Sequence, residues 1–264
     1  MKKKLIIGNW KMHLNTHDAS VLVHRLHITI PVHRSVEVVL APSMLSLQPL
    51  SLEIDRRQFK LAAQNAYYKD EGAFTGEVSY DMLRDLVHYA IVGHSERRIY
   101  FNETLEVVRE KTAAAVRNGI VPIVCVGDTS QERSEGESKR VVHDQVTTAV
   151  QNLTSEDISN IVIAYEPVWA ITTFDGVVAK PSDIQDMLAY IRSIILDLYG
   201  AQAAEDMLLL NGGSVNPDTA AGYFSLPDCD GAIVGGASLN YKSFAAIVAA
   251  AYQVQHENPD NGGQ

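Results

Sequence analysis

Short runs of β-branched and other apolar residues recur along the chain. They are Leu5–Gly8, Val36–Leu40, Phe59–Ala63, Tyr89–Gly93, Ile120–Val126, Ile161–Tyr165, Met207–Leu210 and Ala232–Val234. Most are apolar at consecutive positions, not alternate ones. That is the pattern of parallel strands buried on both faces. Longer amphipathic stretches separate them and predict helices, among them Asp18–Leu26, Thr104–Asn118, Lys139–Leu153 and Ser182–Leu198. Ser182-Asp183-Ile184-Gln185 reads as a capping box with serine as the cap. Asn216-Pro217 puts a cap residue before a proline suited to a first helical position, and Asn118-Gly119 offers a left-handed stop.

Strict alternation of strand and helix means repeated βαβ units, at roughly 30 residues per unit. That spacing predicts an α/β protein with a single (β/α)8 barrel over residues 1–255 and a frayed polar tail over 256–264. An open doubly wound sheet is the rival. It calls for a Gly-rich turn after the first strand, and the turn here is Gly8-Asn9-Trp10-Lys11.

Composition narrows the function. The chain has 264 residues, 46% hydrophobic and 20% charged, so a core can form and bulk disorder is excluded. Its formal net charge of -10 denies it the basic footprint of a nucleic-acid binder. Cys125 and Cys229 make no disulfide framework. Met1-Lys2-Lys3-Lys4 has the charge of a leader segment, but the apolar run Leu5–Ile7 stops at Gly8-Asn9, too short for one. No stretch reaches membrane-spanning length. The expectation is a soluble cytoplasmic protein that meets neither nucleic acid nor membrane.

In a barrel, chemistry collects where strands end at the carboxyl face. Strand one ends in Asn9 and Lys11, which suit an anionic ligand. Strand four ends in His94 at the start of a helix, whose positive end disfavours an imidazolium. Glu96, Arg97 and Arg98 follow and are expected to form ion pairs that fix this loop. Strand six ends in Glu166, flanked by Tyr165 and Pro167-Val168-Trp169; such a carboxylate is partly desolvated and so a better base. Strands seven and eight are followed by Gly212-Gly213-Ser214 and Gly235-Gly236, where backbone amides can approach a phosphate. Each position also has a plain structural reading: a loop lysine, a packed histidine, a solvated glutamate, a glycine turn. Cys125 reads as a small buried hydrophobe and Gly127-Asp128 as a turn. The histidines lack metal-ligand spacing, so no metal is expected.

These segments resemble the triosephosphate isomerase family along almost the whole chain. The resemblance rests on Gly8-Asn9-Trp10-Lys11-Met12, on Gln64-Asn65 with Gly72–Glu77, and on Val92–Arg98. It continues through Ala164–Ile171, Gly212–Val215 and Asp230–Leu239. It implies a TIM barrel that interconverts dihydroxyacetone phosphate and glyceraldehyde 3-phosphate, a step of glycolysis and gluconeogenesis, without a cofactor. Carried over by position, Glu166 is the base, neutral His94 polarises the carbonyl and shuttles a proton, Lys11 stabilises the enediolate and Asn9 holds substrate oxygens. The phosphate sits on amides of Ser214, Gly235, Gly236 and the region of Thr172. Glu96 supports the site. The family forms homodimers through the loop here spanning 65–77, with Thr75 at its tip reaching the partner's site. An isomerase of another small ketose phosphate, such as a tetrulose phosphate, is the alternative; a non-catalytic barrel ranks behind it, because the four catalytic side chains are all present.

The chain departs from the family after Ile171. The lid's two usual glycines are Thr172 and Phe174, and the segment before Ser182 is two residues longer. The tyrosine that usually precedes Gly-Gly-Ser and latches the lid is Asn211. The expectation is a rebuilt lid in which Thr172 still offers an amide and Asn211 no longer clasps.

Overall fold

Eight parallel strands close on themselves in chain order, β1 meeting both β2 and β8. The computed structural model describes residues 2–171 and 178–257. The strands are β1 (Lys4–Asn9), β2 (Val36–Ala41), β3 (Phe59–Ala63), β4 (Tyr89–Val92), β5 (Val121–Val126), β6 (Val162–Tyr165), β7 (Leu208–Asn211) and β8 (Gly231–Val234). All eight expected runs are strands, with ends that move by a residue. Gly93, expected to finish β4, instead lies beyond it at φ 69°.

Side-chain alternation explains why the runs looked apolar throughout. Leu5 and Ile7 pack with Val39, Ala41, Ile91, Ile123, Val162, Leu210 and Ile233 in a cluster with no helical member, the barrel interior. Ile6 between them belongs to a second cluster with Val38, Leu40 and helical residues such as Leu22 and Leu26. Successive side chains thus face two apolar environments, and neither face can be polar.

The four named helices run Thr16–Thr29, Leu105–Arg117, Ser138–Val150 and Pro181–Tyr199. The last starts differently from the sequence reading. Ser182 is inside the first turn; Lys180 is the cap residue, Pro181 takes the first helical position, and Asp183 accepts the Lys180 N–H at 3.3 Å. Proline's fixed φ sets the start one residue early. Asn216 accepts N–H groups of Asp218 and Thr219 at 2.9 and 3.1 Å, but this caps a turn, and the helix itself is Ala220–Phe224. Gly119, at φ 70°, follows Leu105–Arg117 as expected.

Residues 256 and 257 belong to the terminal helix Tyr241–Glu257. The remainder of the expected tail lies outside the described residues. No helix among the described residues is long and apolar enough to cross a membrane.

Candidate active site

All strands point the same way, so their carboxyl ends form one rim. Asn9 pairs with Ala41 at that rim, and Tyr165 with Asn211. There a cavity of about 430 Å³ is lined by Asn9, Lys11, His94, Ser214, Gly235 and Gly236, among others.

Lys11 is held there by an unusual backbone. Its φ is 51°, a left-handed value that costs a side-chain-bearing residue energy. Asn9 Oδ1 accepts the Lys11 N–H at 3.1 Å, and Gln64 donates to the Lys11 carbonyl at 2.9 Å. The ammonium reaches Glu96 Oε1 at 2.6 Å. On the way the stem passes Gly235: a Cβ built there would lie 3.7 Å from Lys11 Cε.

His94 is the cap residue of helix Ser95–Tyr100, and its Nδ1 accepts the Glu96 N–H at 3.2 Å. That contact gives Nδ1 the acceptor role and leaves Nε2 as the ring's donor. That Nε2 lies 3.3 Å from Glu166 Oε1. Among the described residues, Arg98 does not form the ion pair expected of it. It donates to the Gly93 carbonyl at 2.7 Å and the Cys125 carbonyl at 3.0 Å, tying the ends of β4 and β5 together. Arg97 does pair, with Glu103.

Glu166 is 2% exposed. Its Oε2 accepts the Ser95 N–H at 2.9 Å, and its own N–H goes to the Val126 carbonyl at 2.7 Å. Two glycines seat it. A Cβ on Gly127 would fall 1.8 Å from the Glu166 carbonyl oxygen, and one on Gly212 would fall 2.6 Å from Glu166 Cγ. The Gly127 contact escaped the sequence reading, because a glycine after a strand looks like any turn. Cys125 is fully buried, and burial beside the Glu166 charge pushes its thiol well above the usual value.

The glycine loops lie as expected along the cavity wall. Ser214 Oγ donates to the Ala170 carbonyl at 2.7 Å, and Gly236 opens a short turn, Gly236–Leu239. Two residues stand apart. Thr75 is exposed on the 65–77 loop and does not line the cavity. Thr172 lies outside the described residues, as does the rest of the lid up to Val177. Asn211, where the resemblance has a tyrosine, is fully buried and turned toward its own loop, with Oδ1 accepting the Gly213 N–H at 2.9 Å. Among the described residues, no three His, Cys, Asp or Glu groups are arranged to hold a metal ion.

Comparison with known proteins gives one family throughout. The sequence pattern of the family described as triosephosphate isomerase matches residues 4–251. The chain is 44% identical over 253 residues to the triosephosphate isomerase of Chloroherpeton thalassium, covering 95% of this chain and 100% of that one. It is 44% identical to that of Citrifermentans bemidjiense and 43% to that of Carboxydothermus hydrogenoformans, each over 94% of this chain and 98% of the relative. Matches of this length and identity, on a closed eight-stranded barrel, make the chain a member of the triosephosphate isomerase family.

Proposed function

We propose that this chain interconverts dihydroxyacetone phosphate and glyceraldehyde 3-phosphate at the rim cavity, with Glu166 as the base. One observation carries this reading: a buried carboxylate, an imidazole whose Nε2 lies against that carboxylate, and an ammonium share one barrel mouth. That set suits moving a proton between adjacent carbons.

Glu166 takes a proton from C1 of the ketose, and the electron pair of that C–H bond becomes the C1–C2 double bond of an enediolate. The carbonyl π pair moves onto the C2 oxygen. Lys11 and the Nε2–H of His94 stabilise that charge, acting where it develops and at fixed positions. His94 carries the hydroxyl proton between O1 and O2, and Glu166 returns its proton to C2. Electrons and protons balance within the substrate, so no redox partner enters. Glu166 and His94 now touch each other, so a bound substrate has to separate them. The phosphate lies on amides of Ser214, Gly235 and Gly236, with one more from the Thr172 region. Asn9 holds substrate oxygens, and Glu96 orients Lys11.

The active form is a homodimer joined through residues 65–77, with Thr75 completing the partner's site. Its support is apolar surface: Met12, next to Lys11, is 96% exposed, and Phe74, next to Thr75, is 40% exposed.

The altered lid sequence and Asn211 favour one second reading, a four-carbon ketose phosphate as substrate. A coupled turnover assay with both triose phosphates, run beside erythrulose phosphates, separates the two. Faster turnover of the triose phosphates is expected; preference for the four-carbon substrates would overturn the reading.

A further inference from the structure

Asn211 ends β7 with its side chain enclosed. Its Oδ1 takes the Gly213 N–H at 2.9 Å, while the Gly212 N–H goes to the Tyr165 carbonyl at 2.7 Å. Both glycine amides of a loop that lines the cavity are therefore committed to protein acceptors. The space around them is tight. A Cβ on Gly213 would lie 3.0 Å from Pro167 Cγ and 3.1 Å from Asn211 Oδ1, and one on Gly212 would press on Glu166. The same bend thus touches the candidate base on one side and lines the cavity on the other.

The other end of the amide, Asn211 Nδ2, is buried with no hydrogen-bond partner among the described residues. A buried donor left unpaired is costly, and a leucine of similar size would carry no such cost. Packing alone does not select asparagine here. What distinguishes it is the acceptor it gives Gly213.

We propose that Asn211 is a positioning residue, which acts through the Gly213 N–H to fix the bend that presents Ser214 to the substrate's phosphate. The inference rests on the reading of the cavity as a triose phosphate site. Asn211→Ala and Asn211→Ser test it as a pair. They are close in volume, but only serine offers a hydroxyl that can accept an N–H two residues on. The measurements are the Kd of inorganic phosphate by calorimetry, and KM and kcat with glyceraldehyde 3-phosphate.

Loss of one hydrogen bond predicts that alanine raises the phosphate Kd and KM about fivefold or more. Serine should keep both within about twofold of the parent, and kcat should change less than KM in each. Equal constants for alanine and serine, or a parent-like alanine variant, would overturn the proposal. Should the alanine variant fail to fold, Asn211→Leu, similar in size and without an acceptor, takes its place: constants raised above those of serine support the acceptor role, and equal constants overturn it. Failure of the parent to turn over triose phosphates would remove the functional reading instead, and the phosphate Kd values would still report on Asn211.

Discussion

Lys11 Nζ and Glu96 Oε1 lie 2.6 Å apart at the cavity wall, with side chains 22% and 23% exposed. A pair this open contributes little stability, about 0–1 kcal/mol. Its importance is where it holds the ammonium. Lys11→Met is therefore expected to melt near the parent temperature while kcat/KM falls about 10²-fold or more, through both a higher KM and a lower kcat. Steady-state kinetics beside thermal melting checks this. A near-parent kcat/KM would remove Lys11 from its assigned role.

Gly127 and Gly212 both face Glu166, but a methyl group added to each meets different atoms. At Gly212 it meets Glu166 Cγ at 2.6 Å and the Tyr165 carbonyl oxygen at 3.1 Å, so the buried side chain of the base has to shift. Gly212→Ala is expected to lower kcat and to cost less stability than Gly127→Ala. At Gly127 it meets a backbone carbonyl at 1.8 Å, which cannot yield without moving β6. Gly127→Ala is expected to cost about 1–3 kcal/mol or more of stability. Urea denaturation and kcat measured on both variants test the contrast; equal behaviour would contradict it.

That contrast also marks what the sequence could and could not reveal. The strands were legible because burial on both faces removes polar positions, and Leu5-Ile6-Ile7 carries that mark in consecutive letters. Rim residues such as Asn9 and His94 were legible because a polar residue ending an apolar run stands out. Gly127 and Gly212 were not legible as a seat for Glu166. Their contact joins segments far apart in the chain, and a glycine looks the same whether it turns the backbone or makes room for a neighbour. The start of helix Pro181–Tyr199 was misread because two local rules compete there. Ser182 is a good cap, but Pro181 before it already has the helical φ. Arg98 was read as an ion-pair former because charge is visible in sequence and backbone carbonyl partners are not.

Glu103 predicts a dependence of stability on pH. Burial pushes its carboxyl up, but hydrogen bonds from Lys111 and Arg97 outweigh that and hold it below the ordinary 4.5. A carboxyl depressed on folding contributes stability that is present above its unfolded value and lost as pH falls through its folded value. The urea midpoint should therefore decline as pH is taken below about 4.5. Glu103→Gln should start lower at pH 7, because Lys111 and Arg97 lose the carboxylate they share, and should decline less steeply in acid. An identical slope in parent and variant would contradict the assignment.

The dimer is tested by sedimentation equilibrium at micromolar concentration. The expected mass is about twice that of the chain, the C2 dimer being the common closed assembly. A fully active monomer would contradict a site completed by Thr75 of a partner.

The central claim is that Glu166 moves a proton between two carbons of a triose phosphate. Exchange of solvent deuterium into dihydroxyacetone phosphate, followed by NMR for the parent and for Glu166→Gln, measures that transfer directly. The parent should incorporate deuterium, and the variant, folded like the parent, should do so about 10²–10⁴-fold more slowly. Exchange in Glu166→Gln at a rate near the parent's would show that another group is the base.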